Sequence, residues 1–246
     1  MNNFYLMSIQ YDGTNFSGWV KQTNKKTIQG ELESAFSKNA KLPVKLLGAS
    51  KTDAGVHALD QKVWIELDYT PNLTGLKNTL NKALPNQIFI NSIINVDNNF
   101  KVRNVKEKTY IYRLRFEKYD VFRQYYTYFW NLPKFELSKL KEVLNLFVGT
   151  HDFLNFSGLK INEIDKISPI RTINDIQTNI LDSELEIIFK AKGFIRYQIR
   201  TIMGCVFAYL NNKISLQVIK ETLELKHPKL PYIADAKGLT LISIDY

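Results

Sequence analysis

The chain has 246 residues, 45% hydrophobic and 23% charged, enough for one large domain or two small ones around a sizeable core. A single cysteine rules out an intrachain disulfide, the three histidines lack metal-ligand spacing, and no apolar run reaches the ~18 residues of a membrane span. The net charge of +9 and pI near 9.4 point to an acidic partner such as a polyphosphate backbone, although general lysine enrichment would give the same surplus.

In chain order, Phe4 to Tyr11 is apolar and aromatic and reads as a strand. Thr27 can cap a helix whose apolar positions are Ile28, Leu32, Ala35 and Phe36. Val44 to Leu47 is a short strand ending at Gly48, and Val63, Ile65 and Leu67 alternate with polar neighbours at the strand period. Leu73, Leu76, Leu80 and Leu84 return to helical spacing before Pro85, and Ile88 to Val96 is a further strand.

The second half repeats the order with additions. Tyr110, Tyr112, Leu114 and Phe116 share a strand face. Leu140, Val143, Leu144 and Phe147 share a helix face that Ser138 can cap. Ile170 to Leu181 and Leu185 to Ala191 read as paired strands. Phe194 to Leu210 reads as a long apolar helix, Ser215 to Leu225 as a shorter one, and Leu239 to Ile244 as a closing strand.

Each half thus approaches β-α-β-β-α-β. The expected fold class is α+β: two similar ferredoxin-like (split β-α-β) halves side by side, residues 1–104 and 105–246, with a central groove for an elongated ligand. The opening residues MNNFYLMSIQYDG show no secretory pattern, so a cytoplasmic protein is expected. Cys205, inside IMGCVFAYL, reads as a buried, inert thiol.

The stretch most informative about chemistry is LGASKTDAGVHALDQ, Leu47 to Gln61, between two expected strands. Loops at strand ends are where rigid scaffolds place reactive groups. Asp53 lies at its centre, flanked by Lys51 and Thr52; its chemistry alone also fits a turn cap.

KTDAGVHA resembles the RTDAGVHA signature of TruA-type tRNA pseudouridine synthases. Further matches fall in the family's order: YDGTNFSGW from Tyr11, followed by Lys21 and Gln22, then TIQGELE, KTYIY, FVGTHDFLNF, GFIRYQIRTIMG and the closing GLTLISIDY. The resemblance spans nearly the whole chain. It implies isomerisation of uridine in the anticodon stem-loop of tRNA, near positions 38 to 40, by a homodimer needing no cofactor and no metal.

By resemblance Asp53 is the catalytic carboxylate, attacking C1′ or C6 or removing the 2′ proton; the sequence leaves these open. Arg200 matches an arginine that keeps the carboxylate ionised or fills the space of a flipped base; without the family it reads as a surface arginine. Tyr110 matches a tyrosine that stacks on the uracil, and it also suits a core strand face. Lys51, Thr52, Lys21, Gln22 and Arg103 are the substrate-binding candidates. Lys51 replaces the family's arginine and lacks its planar fork. Lys25, Lys26, Lys106 and Lys108 are further candidates for the phosphate backbone, and each is equally an ordinary surface lysine. Two rival readings are a non-catalytic RNA-binding relative and a base-releasing glycosidase; a hydrolytic glycosidase would need a second flanking carboxylate.

Overall fold

The computed structural model of the chain describes residues 3–40, 44–116, 118–130 and 136–246. It divides into two compact units, residues 1–106 with 240–246, and residues 107–239.

In the first unit, β1 (Asn3–Tyr11) pairs antiparallel with β3 (His57–Leu67) on one side and β4 (Ile88–Asn95) on the other. β2 (Lys45–Gly48) pairs antiparallel with the second half of β3, with Leu46 opposite Ile65. The order is therefore β4-β1-β3-β2, with every neighbour antiparallel. Two helices join these strands, α1 (Ile28–Ala40) between β1 and β2, and α2 (Leu73–Ala83) between β3 and β4.

The helices form where the apolar period predicts. Gly30 N–H donates to Thr27 Oγ1 at 3.2 Å, so Thr27 caps α1, and Asn72 caps α2 by accepting from Gly75 N–H at 2.8 Å. Ile28, Leu32, Ala35 and Phe36 are all buried. They belong to a core with Met7 and Ile9 of β1 and Val63 and Ile65 of β3. Each such aliphatic or aromatic side chain contributes about 1.5–3 kcal/mol by leaving water.

In the second unit, β5 (Glu107–Arg115) pairs antiparallel with β9 (Glu184–Ala191), β9 with β8 (Ile170–Leu181), and β8 with β7 (Gly149–Asp152). A two-residue strand, β6 (Tyr128–Phe129), lies parallel to the end of β5. The helices are α3 (Leu137–Asn145), α4 (Gln198–Leu210) and α5 (Leu216–Leu223). Ser215 caps α5 by accepting from Val218 N–H. Tyr112, Leu185, Ile187 and Phe189 form the sheet side of this core, with Ile202 and Val206 of α4 also buried.

Three boundaries differ from expectation. β3 starts at His57 rather than near Lys62, so residues 57–61, expected in the loop, are strand, held by pairing with β1. α3 starts two residues early, with Glu136 at its cap; Ser138 is the second helical residue, too far in to cap. α4 starts at Gln198 rather than Phe194, because residues 195–198 form a tight turn with Tyr197 in the left-handed region. The final strand, β10 (Leu239–Asp245), lies in the first unit from Thr240 on, where Thr240 and Leu241 pair in parallel with His57 and Ala58 of β3. Among the described residues, no helix is long and apolar enough to cross a membrane.

Candidate active site

Asp53 occupies the first position of a turn between β2 and β3. Val56 N–H donates to Asp53 O at 3.2 Å, and Gly55 takes the positive φ of 78° that the third place of such a turn demands. The aspartate is half-buried, between exposed Lys51 and Ala54 on either side of buried Thr52.

The segment after β1 braces this turn. Trp19 N–H donates to Thr52 O at 3.0 Å, Gly55 N–H to Phe16 O at 3.2 Å, and Gly13 N–H to His57 Nδ1 at 3.1 Å. The approach is close enough to require glycine: a Cβ on Gly13 would lie 2.1 Å from Val56 O, and one on Gly18, whose φ is +91°, 2.8 Å from Thr52 O.

Beneath the turn lies a buried polar network. Tyr11 Oη and Thr52 Oγ1 are 2.7 Å apart. Gln61, fully buried on β3, accepts from Ser50 N–H at 3.0 Å and donates from Nε2 to Ser50 O at 2.8 Å. The backbone of residue 50 and the side chain of residue 52 are thereby fixed from below, which rigidifies the chain leading into Asp53.

The other candidates of this unit lie on its surface. Lys21 Nζ is 2.6 Å from Glu33 Oε2 in an exposed pair, which is worth little and leaves the lysine able to exchange partners. Gln22 Nε2 donates to Ser17 O at 3.1 Å. Lys51 and Arg103 are exposed, and the neighbour of Arg103, Val102, accepts at its carbonyl from the Tyr246 hydroxyl at 2.9 Å.

In the second unit, Arg200 is the third residue of α4. Its Nε donates to Ala234 O at 2.9 Å, while Ala234 N–H donates to Arg200 O at 2.8 Å. The same segment is pinned again where Gly204 faces it, since a Cβ there would be 2.6 Å from Ile233 N, and where the Tyr112 hydroxyl donates to Asp235 O at 3.0 Å. The Arg200 guanidinium carbon sits 5.3 Å from the Tyr197 ring centroid, within cation–π range.

Tyr110 is nearly buried on β5, its ring edge-on to Phe194 at 5.3 Å between centroids. Burial pushes the Tyr112 hydroxyl well above the ordinary tyrosine range. It likewise pushes the Cys205 thiol up to about 12, so that side chain is the inert one expected.

A family model described as tRNA pseudouridine synthase matches residues 143–246. Over 244 residues the chain is 44% identical to the tRNA pseudouridine synthase A of Mesoplasma florum, covering 98% of this chain and 97% of that one. It is 46% identical over 248 residues to the protein of the same name from Mycoplasma mycoides subsp. mycoides SC, covering 100% and 99%. The chain belongs to the tRNA pseudouridine synthase A family. Membership gives the braced turn at Asp53 a chemical context, that of a family named for a reaction on tRNA.

Two residues of the site escape the motif reading. Gln61 has the parity of Val63, Ile65 and Leu67, so a polar side chain on the core face of β3 is its signal. Tyr197 has none, because nothing in an apolar helix-like run marks a residue that will adopt positive φ.

Proposed function

We propose that the chain isomerises uridine to pseudouridine in the anticodon stem-loop of tRNA, near positions 38 to 40, with Asp53 as the catalytic carboxylate. The observation that carries this reading is the Asp53 turn. A carboxylate stands half-exposed on a loop held by three glycines and a buried polar network, inside a chain of this family. Preorganisation of that kind aims a single group at a reacting atom.

The reaction breaks the bond from C1′ to N1 and forms one from C1′ to C5. C5 gives up its proton and N1 gains one, so no water or redox partner enters the balance. Asp53 serves as the nucleophile or base toward the ribose or uracil. Tyr110 offers a ring face to the base, and Arg200 supplies a fixed cation for the carboxylate or for space vacated in the RNA. The reading requires these three residues to serve one nucleotide. Lys51, Arg103, Lys21 and Gln22 complete it as contacts to the RNA backbone, which position the substrate without reading its sequence; Thr52, expected among them, is buried against Tyr11 and serves the site by anchoring the turn.

The same reading takes the chain as two ferredoxin-like halves, residues 1–104 with the catalytic loop and 105–246 completing a cleft for RNA. The β4-β1-β3-β2 order of the first unit and the antiparallel β5-β9-β8 run of the second support it. A cytoplasmic homodimer acting without cofactor or metal belongs to it too; light scattering that found only monomer with and without tRNA would remove the dimer.

The deciding experiment uses tRNA transcripts tritiated at C5 of uridine. Wild type should release the label, while Asp53→Ala should bind tRNA and release none. Free uracil as product would indicate a base-releasing glycosidase instead, and binding without release by wild type a non-catalytic relative.

A further inference from the structure

The entry to α4 has a conformation its sequence does not favour. Gln198 N–H donates to Ile195 O at 3.0 Å, and Gln198 Oε1 accepts from Ile195 N–H at 2.9 Å, closing a turn over residues 195–198. Its third residue, Tyr197, has φ 64° and ψ 0°, values that this place in a type II turn reserves for Gly or Asn. Tyr197 is also the N-cap of α4, yet its side chain caps nothing, and N-cap residues ordinarily have extended backbone. Among the described residues, five non-glycines have positive φ: three are Asn or Asp, and Leu225 follows the end of α5. Tyr197 is the bulkiest of them and the only one that begins a helix.

Such a conformation persists in a bulky residue only where its surroundings fix it, and it tends to cluster with function. Reversing the sign of φ redirects the bond from Cα to Cβ. Here it lays the ring against Gly158, where a Cβ would come within 2.5 Å of Tyr197 Cδ2. The ring thus has a berth that only glycine leaves open, and it remains 37% exposed. The Arg200 guanidinium carbon lies 5.3 Å from its centroid, while the Ala234 carbonyl holds Nε. A planar cation held by a carbonyl at one edge and an aromatic ring nearby keeps one orientation.

We propose that Tyr197 is a positioning residue for the reaction: its left-handed backbone is retained because it brings the ring to Arg200 and fixes the guanidinium's orientation. This rests on the role given to Arg200 above.

Three variants test it, with Arg200→Ala alongside. Tyr197→Asn suits the left-handed backbone and removes the ring. It should melt at or above the wild-type temperature and bind tRNA with unchanged Kd, yet release tritium from C5 about five- to thirtyfold more slowly at saturating tRNA. Tyr197→Phe keeps the ring face and should restore the rate. Gly158→Ala, by displacing the ring, should slow release in the wild-type background and add nothing in the Tyr197→Asn background. A Tyr197→Asn variant as fast as wild type, beside an inactive Arg200→Ala, would overturn the inference and leave the proposed function standing. So would a variant that lost tRNA affinity with turnover intact, or one whose slower rate merely followed a lower melting temperature. A wild-type protein that releases no label removes the proposed function, and this inference with it.

Discussion

At Asp53 the carboxylate is placed by its neighbours' lack of side chains as much as by hydrogen bonds. Gly13 meets Val56 O and Gly18 meets Thr52 O, both backbone atoms that cannot swing aside. Gly13→Ala should therefore cost about 1–3 kcal/mol in urea unfolding and also slow tritium release, since the same shift moves the turn. Unchanged stability would mean that the segments separate without penalty. Lys51, exposed beside this turn, should bind tRNA more tightly or turn over faster as Lys51→Arg, which regains the bidentate fork; a titration and a rate comparison decide it. Much of this residue-level picture is legible beforehand. The motif marks Asp53, Thr52 and the glycines, and parity marks Gln61 as a polar residue on a core face. The side-chain pairing of Tyr11 with Thr52 is not legible, because it joins residues 41 positions apart through tertiary packing.

The elements most readable in sequence are those long enough to show a period. α1, α2, β1, β8 and β9 appear where apolar spacing puts them, and so does the second half of β3. β6 and β7, of two and four residues, are too short for a period to emerge. Three of the first four residues of the expected α4, Phe194, Ile195 and Tyr197, are apolar or aromatic like the helix itself, and the turn geometry at Tyr197 separates them from it. Once formed, α4 serves as a rail for residues 232–235, fastened at Arg200 and in near-contact at Gly204. Gly204→Ala should push the two apart, since a Cβ would meet Tyr232 C and Ile233 N at 2.6 Å. The expected cost is about 1–3 kcal/mol of stability, with slower turnover because Ala234 also anchors Arg200; thermal melts and the tritium assay read the two effects separately.

For the whole molecule, the surplus of nine positive charges makes tRNA binding an ionic-strength problem. Affinity should fall roughly tenfold or more between about 50 and 200 mM salt, with a linear dependence of log Kd on log salt; a flat dependence would count against phosphate contacts. Alkaline stability has a definite sign as well. The Cys205 thiol is held near 12 in the folded chain, whereas an unfolded cysteine ionises near ~8.5. Between these values the unfolded chain binds fewer protons, so stability falls as pH rises, by up to about 1.4 kcal/mol per pH unit from this group. Cys205→Ala should flatten that decline in urea midpoints measured at pH 8 and pH 10. The order of synthesis adds a consequence of another kind. β10 belongs with strands made at the opposite end of the chain, and it pairs with β3 just after the Asp53 turn. A ribosome working at about 5–20 residues per second would finish the whole second unit, over roughly 7–27 seconds, before residues 240–246 could take their place. Throughout that interval the side of β3 at His57 and Ala58 waits uncovered. A message cut short before that strand would leave β3 unpaired at His57 and Ala58, immediately after a turn that the segment following β1 still braces.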